Sequence, residues 1–271
     1  MQKFTGISSP NTVAMVRHSE PLVHCITAAV SMNLVADGLL AAGARPVMTE
    51  TANEAPSMTG IADALLINLG TLSTDAVHGI PDSVIIARER GIPWVLDPTA
   101  VGVAPVRTRL ARELVADAPT VIRGNPSEIL ALDGTASGRG ADTAHTPTEA
   151  SEAAYQLAVA TGSTISVSGA TDLIVSHRQQ AQFDGGTPML SRITGTGCLL
   201  GALTAACLAV EKSPMTAAHV AASWLGTAGE MAVTRSPRPG SFKVHLLDAL
   251  DELAEMCLEA ADLPDEESVR E

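Results

Sequence analysis

Between residues 21 and 169 short apolar runs alternate with segments of helical length, and this rhythm restricts the fold more than any other feature of the chain. The runs are "PLVHCI" (21–26), "RPVMT" (45–49), "ALLINLG" (64–70), "PWVLDP" (93–98), "PTVIRGN" (119–125) and "STISVSG" (163–169). Helix-length segments occupy 29–42, 74–91, 105–116, 126–132 and 148–161. Strands separated by helices predict βαβ units and a mostly parallel sheet. The runs are nearly all apolar, as expected of strands covered by helices on both faces.

With 46% hydrophobic residues, 271 residues can bury one large core. Aromatics make up only 2%, so that core must be packed from small aliphatic side chains, which favours α/β over all-β. The segment "DGTASGRGADTAHTP" (133–147) reads as a surface loop. After residue 169, "DLIVSH" and "QQAQFDGGTPML" predict a hairpin-rich stretch with a turn near Asp184, Gly185 and Gly186; helices follow. No linker or internal repeat divides the chain, so a single domain over 1–271 is expected. The stretch 248–271 reads as a solvated terminal helix with an acidic tail from about 263.

A formal charge of −13 with scattered basic residues argues against nucleic acid as a partner. The longest apolar run, 198–210, falls short of the ~20 residues of a membrane span, and the first twenty residues lack a signal-peptide core. Four cysteines without CxxC spacing suggest neither zinc nor disulfides. A soluble, cytoplasmic protein is therefore expected.

In sheets of this kind ligands bind at the carboxyl ends of the strands. The polar and adaptable residues there are His24, Thr27, Met48, Asn68, Asp97, Arg123, Asn125 and Ser168. His24 reads more naturally as a hydrogen-bonded structural residue than as a catalyst. Met48 suits either the core or the wall of a pocket for a flat ring. Asp97 ends an apolar strand, where a carboxylate needs a cation or a donor. Glu128, three residues after Asn125, fits a capping box and equally a magnesium ligand. Arg123 suits a phosphate or an acid.

"SRITGTGCLLGALTAAC" (191–207) sets glycines before the most apolar helix. Backbone N–H groups at such a junction form an anion site, and Gly195, Thr196 and Gly197 are its candidates. The G-x-G-x-x-x-G spacing departs from the dinucleotide fingerprint, and no G-x-x-x-x-G-K-[ST] occurs. Cys198 falls in the first helical turn, where the helix dipole is expected to lower a thiol's pKa. It is either a reactive group or, like Cys207 and Cys257, a small buried hydrophobe.

Taken together, "PLVHCIT…MNLVADGLLAAGARPVM", "ALLINLGTLS", "PWVLDPTAVG", "VIRGNPSEI", "VSGATDLI", "ITGTGCLLGAL" and "RPGSFKVHLLDAL" resemble the hydroxyethylthiazole kinase family of the ribokinase-like superfamily, nearly end to end. The resemblance implies ATP-dependent transfer of the γ-phosphoryl group to the primary alcohol of 4-methyl-5-(2-hydroxyethyl)thiazole, a step of thiamine salvage. It implies Cys198 beside the reacting hydroxyl, Met48 and Gly195 at the substrate, and Arg123, Ser168, Gly195, Thr196 and Gly197 at ATP and its phosphates. It also implies Asp97 and Glu128 as the Mg²⁺ side of the site, and a homotrimer with active sites at its interfaces. The chain departs from the family pattern at Ala28, where an asparagine usually lines the thiazole pocket. It departs again at "DPTA" (97–100) in place of DPVG, and at "SGA" (168–170) in place of TGE. A kinase for another heteroaromatic alcohol of pyrimidine or pyridoxal type, and a non-catalytic nucleotide-binding homologue, are the alternative readings.

Overall fold

The computed structural model describes residues 6–134, 146 and 149–262. Eight strands form one sheet in the order β2-β1-β3-β4-β5-β6-β7-β8. They are β1 (Leu22–Ile26), β2 (Arg45–Val47), β3 (Ala64–Asn68), β4 (Trp94–Asp97), β5 (Val121–Gly124), β6 (Thr164–Val167), β7 (Thr171–Val175) and β8 (Gln180–Asp184). All neighbours from β2 to β6 are parallel, while β7 and β8 are antiparallel additions at one edge. The expected α/β architecture with a mostly parallel sheet is therefore present.

Helices cover both faces. On one lie α1 (Pro10–Ser19), α2 (Met32–Ala42), α8 (Thr196–Val210), α9 (Pro214–Arg235) and α10 (Pro239–Ala260). On the other lie α3 (Ala55–Thr59), α4 (Thr74–Arg90), α5 (Pro105–Val115), α6 (Pro126–Asp133) and α7 (Ser151–Thr161). Strand side chains alternate between the two cores: Leu66, Val95 and Val121 pack under the α8 group, whereas Leu65, Ile67, Leu96 and Ile122 pack under the α4 group. Small residues let the layers close up. A Cβ on Gly201 of α8 would stand 3.1 Å from Leu66 Cδ1, so this helix lies directly on the sheet.

Several boundaries differ from the sequence-based expectation. The strand expected over 64–70 stops at Asn68, because Gly70 N–H donates to Asn68 Oδ1 (2.8 Å) and turns the chain off the sheet. The helix expected from 29 begins at Met32, since Ser31 folds back through both its N–H and its hydroxyl onto the Ala28 carbonyl. Helices α1 and α3 had no signal in the alternating pattern. The hairpin after residue 169 is β7–β8, but its turn is Ser176–Gln179, closed by the Ser176 side chain and by Ser176 N–H to Gln179 O (2.8 Å). Asp184 to Gly186 instead leads the chain out of β8, with Gly186 at φ +89°, where an added Cβ would stand 3.5 Å from Gly226 Cα. The terminal helix α10 is not simply solvated: Phe242, Leu246, Leu250 and Leu253 bury one face of it. Most of the 133–147 loop and the acidic tail from 263 lie outside the described residues.

Candidate active site

The strand alternation that builds the two cores also sorts the polar residues at the strand ends. Asn68 and Asp97 are register partners on β3 and β4, two residues beyond Leu66 and Val95, so both side chains share the α8 face. Arg123, two beyond Val121, falls on the same face, and its register partner Ser166 puts Ser168 there as well. Four polar side chains thus form a row across four adjacent strands, facing the start of α8. His24 has the opposite parity, and its ring meets Thr59 Oγ1 of α3 (2.9 Å) and the Thr49 carbonyl (2.8 Å). It is fully buried, and desolvation holds it below the ordinary histidine range despite the Thr49 contact, so a neutral ring donates from Nε2 to Thr49. The structural reading of His24 is the one observed.

Along the row, Arg123 Nη1 donates to Asp97 Oδ2 (3.2 Å) and Nη2 to Ser168 Oγ (2.7 Å). Thr99 Oγ1 donates to Asp97 Oδ1 (3.0 Å). The donor and cation that a buried carboxylate at Asp97 requires are therefore built in. Burial opposes the charge on Arg123, but Asp97 and Glu128 outweigh it and hold the guanidinium above its ordinary pKa. Glu128 Oε1 accepts from Ala100 N–H (3.0 Å) and Oε2 from Asn125 N–H (2.9 Å), while Asn125 Oδ1 accepts from Glu128 N–H (2.9 Å). The capping box is real. Burial first, and then the charge of Asp97, raise the Glu128 carboxyl above the usual range.

At the start of α8, Gly195 is the N-cap with φ +96°, a left-handed backbone that favours glycine. A Cβ there would also stand 2.7 Å from Ser31 Cβ. Glycine supplies no capping side chain, so first-turn N–H groups remain for another acceptor. Thr196 places its hydroxyl on the carbonyls of Leu190 (2.9 Å) and Ile193 (3.3 Å), which fixes the loop and leaves only its backbone for an anion. Cys198, half-buried, follows one residue after Gly197. Its thiol is not lowered, contrary to the helix-dipole expectation: burial, and then Asp97, raise it, with Ser31, Arg123 and Asn68 offsetting part of the effect. Cys207 and Cys257 are buried in the core, as expected. Met48, half-buried after β2, packs on the α8-side core at the same end of the sheet.

Asp172, at the start of β7, carried no signal in the sequence. It accepts Gly169 N–H (2.8 Å) and so holds the turn that presents Ser168. Burial raises its carboxyl, and Arg123 pulls it back.

Residues 13–256 match the model of the hydroxyethylthiazole kinase family. The chain belongs to that family. The hydroxyethylthiazole kinase of Kineococcus radiotolerans is 44% identical over 239 residues, covering 88% of this chain and 87% of the relative. The solved structure of the hydroxyethylthiazole kinase protein from Pyrococcus horikoshii OT3 superposes with a TM-score of 0.84 at 37% identity, covering 93% of this chain and 95% of the other. A ribokinase-like superfamily protein from Enterococcus faecalis V583 superposes at 0.64 with 15% identity over 92% of this chain and 95% of its own, which shows the ribokinase-like fold alone. The polar row, the capping box and the glycine turn all lie within residues 13–256.

Proposed function

We propose that the row on β3–β6 and the first turn of α8 form the site at which this member of the hydroxyethylthiazole kinase family transfers the γ-phosphoryl group of ATP to the primary alcohol of hydroxyethylthiazole. The observation that carries this reading is the convergence of a buried cation, Arg123, with an uncapped glycine turn at the carboxyl ends of the strands. In the transfer, the alcohol oxygen forms a bond to the γ-phosphorus as the bond from that phosphorus to the β,γ-bridging oxygen breaks; ADP leaves with the electron pair, and the hydroxyl proton is released to solvent as the ester forms. Such transition states are loose, so positioning and charge neutralisation do most of the work.

Each side chain then has a defined task. Arg123 and Ser168 hold the nucleotide's phosphates, with backbone N–H groups of Gly195, Thr196 and Gly197 neutralising charge on the transferred group. Met48 and Gly195 bound the thiazole. Cys198 aligns the hydroxyl in its thiol form, since its raised pKa makes it a poor base at neutral pH. Two carboxylates, Asp97 and Glu128, sit close enough for one to shift the other. Each oxygen of Glu128 accepts one N–H and keeps a lone pair. Among the described residues no group of three or more potential ligands gathers into a metal cage. One or two carboxylates completed by substrate phosphates is the usual arrangement for Mg²⁺, so Asp97 and Glu128 fit it. When bound there, Mg²⁺ would neutralise phosphate charge.

The reading includes the homotrimer that the family resemblance implies, with active sites at its interfaces. A coupled ATPase assay with hydroxyethylthiazole, hydroxymethylpyrimidine and pyridoxal tests the reading. Turnover should be greatest with the thiazole; turnover confined to the pyrimidine or to pyridoxal would replace the acceptor, and none with any alcohol would leave a nucleotide-binding protein.

A further inference from the structure

Asn68 is 1% exposed, and its two ends are treated differently by the structure. Its Oδ1 accepts Gly70 N–H (2.8 Å). That contact settles which end of the amide is oxygen, because a backbone N–H requires an acceptor. The close approach depends on glycine: a Cβ at position 70 would stand 2.9 Å from Asn68 Oδ1 and 2.8 Å from Ala28 Cβ. The nitrogen is thereby directed away from the turn, and Nδ2 meets no acceptor. A buried amide nitrogen without a partner is uncommon in a native fold and calls for an acceptor to complete it.

The position of Asn68 shows which ligand atom that is. It is the register partner of Asp97 and lies on the α8 face. Gly201, one helical turn after Cys198, would place a Cβ 3.6 Å from Asp97 Oδ2, so the face of α8 that carries Cys198 lies over the Asn68–Asp97 pair. The unpartnered Nδ2 therefore lies buried at the strand ends, beneath the first turn of α8 that carries Cys198.

We propose that Asn68 is a substrate-positioning residue of this kinase, donating from Nδ2 to the oxygen of the acceptor hydroxyl held beside Cys198. The inference rests on the kinase reading above. An alcohol oxygen has two lone pairs; with one engaged by Asn68 and its proton turned toward Cys198, the other is left directed at the γ-phosphorus. Asn68 is then the group that distinguishes an alcohol from the same ring without its hydroxyl.

The test compares hydroxyethylthiazole with 4-methyl-5-ethylthiazole, which lacks only the hydroxyl. Turnover of hydroxyethylthiazole by the wild type is measured first, and its absence would overturn the kinase reading together with this inference. With turnover present, binding of both ligands is measured in the wild type, in Asn68→Ala and in Asn68→Asp; the last keeps an acceptor for Gly70 N–H and carries the comparison if the alanine variant does not fold. We expect the wild type to prefer the alcohol by about tenfold or more, both variants to lose that preference, and the ethyl analogue to bind all three proteins alike. A preference retained in the variants would overturn the proposal for Asn68 alone. So would an equal weakening of both ligands, which is what a merely structural asparagine would give.

Discussion

Gly197 lies so close to Arg123 that a Cβ on the glycine would stand 2.9 Å from Nη1 and 3.1 Å from Nη2 of the guanidinium. The turn of α8 and the cation of β5 are thus fitted to each other, and the hydrogen bonds of Arg123 to Asp97 and Ser168 hold the fit. Gly197→Ala should fold, since the obstructed atoms are the far end of a flexible side chain, but it should displace the guanidinium. A charge-assisted contact is worth about 1.5–3 kcal/mol, so KM for ATP should rise roughly tenfold to a hundredfold with little change in Tm. Steady-state kinetics at varied ATP check this, and an unchanged KM would remove Arg123 from the nucleotide's side.

Cys198→Ala should lower kcat by about tenfold to a hundredfold while leaving affinity for the thiazole nearly unchanged, the pattern of a lost alignment in the transition state. Because burial and Asp97 raise its thiol above the ordinary 9.0, alkylation of Cys198 by iodoacetamide should be slow at neutral pH and still accelerating above pH 9. A labelling rate that levels off near pH 7 would show the helix dipole to be the stronger influence after all.

Ala100 adopts φ +64°, a left-handed conformation, with its N–H donating to Glu128 Oε1 (3.0 Å). An alanine there costs about 1 kcal/mol relative to glycine. Ala100→Gly should therefore raise unfolding stability by up to about 1 kcal/mol, the added freedom of the unfolded chain offsetting part of the gain. Chemical denaturation measures it; a loss of stability would mean that Ala100 is not strained.

His24 is buried with a pKa below its ordinary 6.5. Below that value the unfolded chain binds a proton that the folded chain refuses, so stability falls as pH drops, by at most about 1.4 kcal/mol per pH unit from this group. The loss begins near pH 6.5 and ends only below the folded-state value. His24→Gln, which keeps a donor and an acceptor, should flatten the stability profile just below pH 6.5, as read by denaturation midpoints at several pH values. Parallel profiles would place the acid sensitivity elsewhere.

Much of this was legible before any coordinates. Apolar runs located β1 to β6, and the rule that ligands gather at the strand ends picked out Asp97, Arg123 and Ser168. What the sequence could not supply was parity and register. Only pairing shows that Asn68 joins the Asp97 row while His24 turns to the other face. Asp172 is hidden in the sequence because its role depends on the tight turn from β6 into β7, which brings Gly169 N–H onto its carboxylate. Nor is the direction of the Cys198 shift legible, since a helix terminus is visible in sequence and a desolvating environment beside a carboxylate from another strand is not.

The most direct measurement is identification of the product. Wild-type protein incubated with MgATP and 4-methyl-5-(2-hydroxyethyl)thiazole should yield ADP and an equal amount of a phosphomonoester on the hydroxyethyl oxygen, seen by phosphorus NMR. ADP appearing without that ester, or an ester formed only from a pyrimidine or pyridoxal alcohol, would contradict the account.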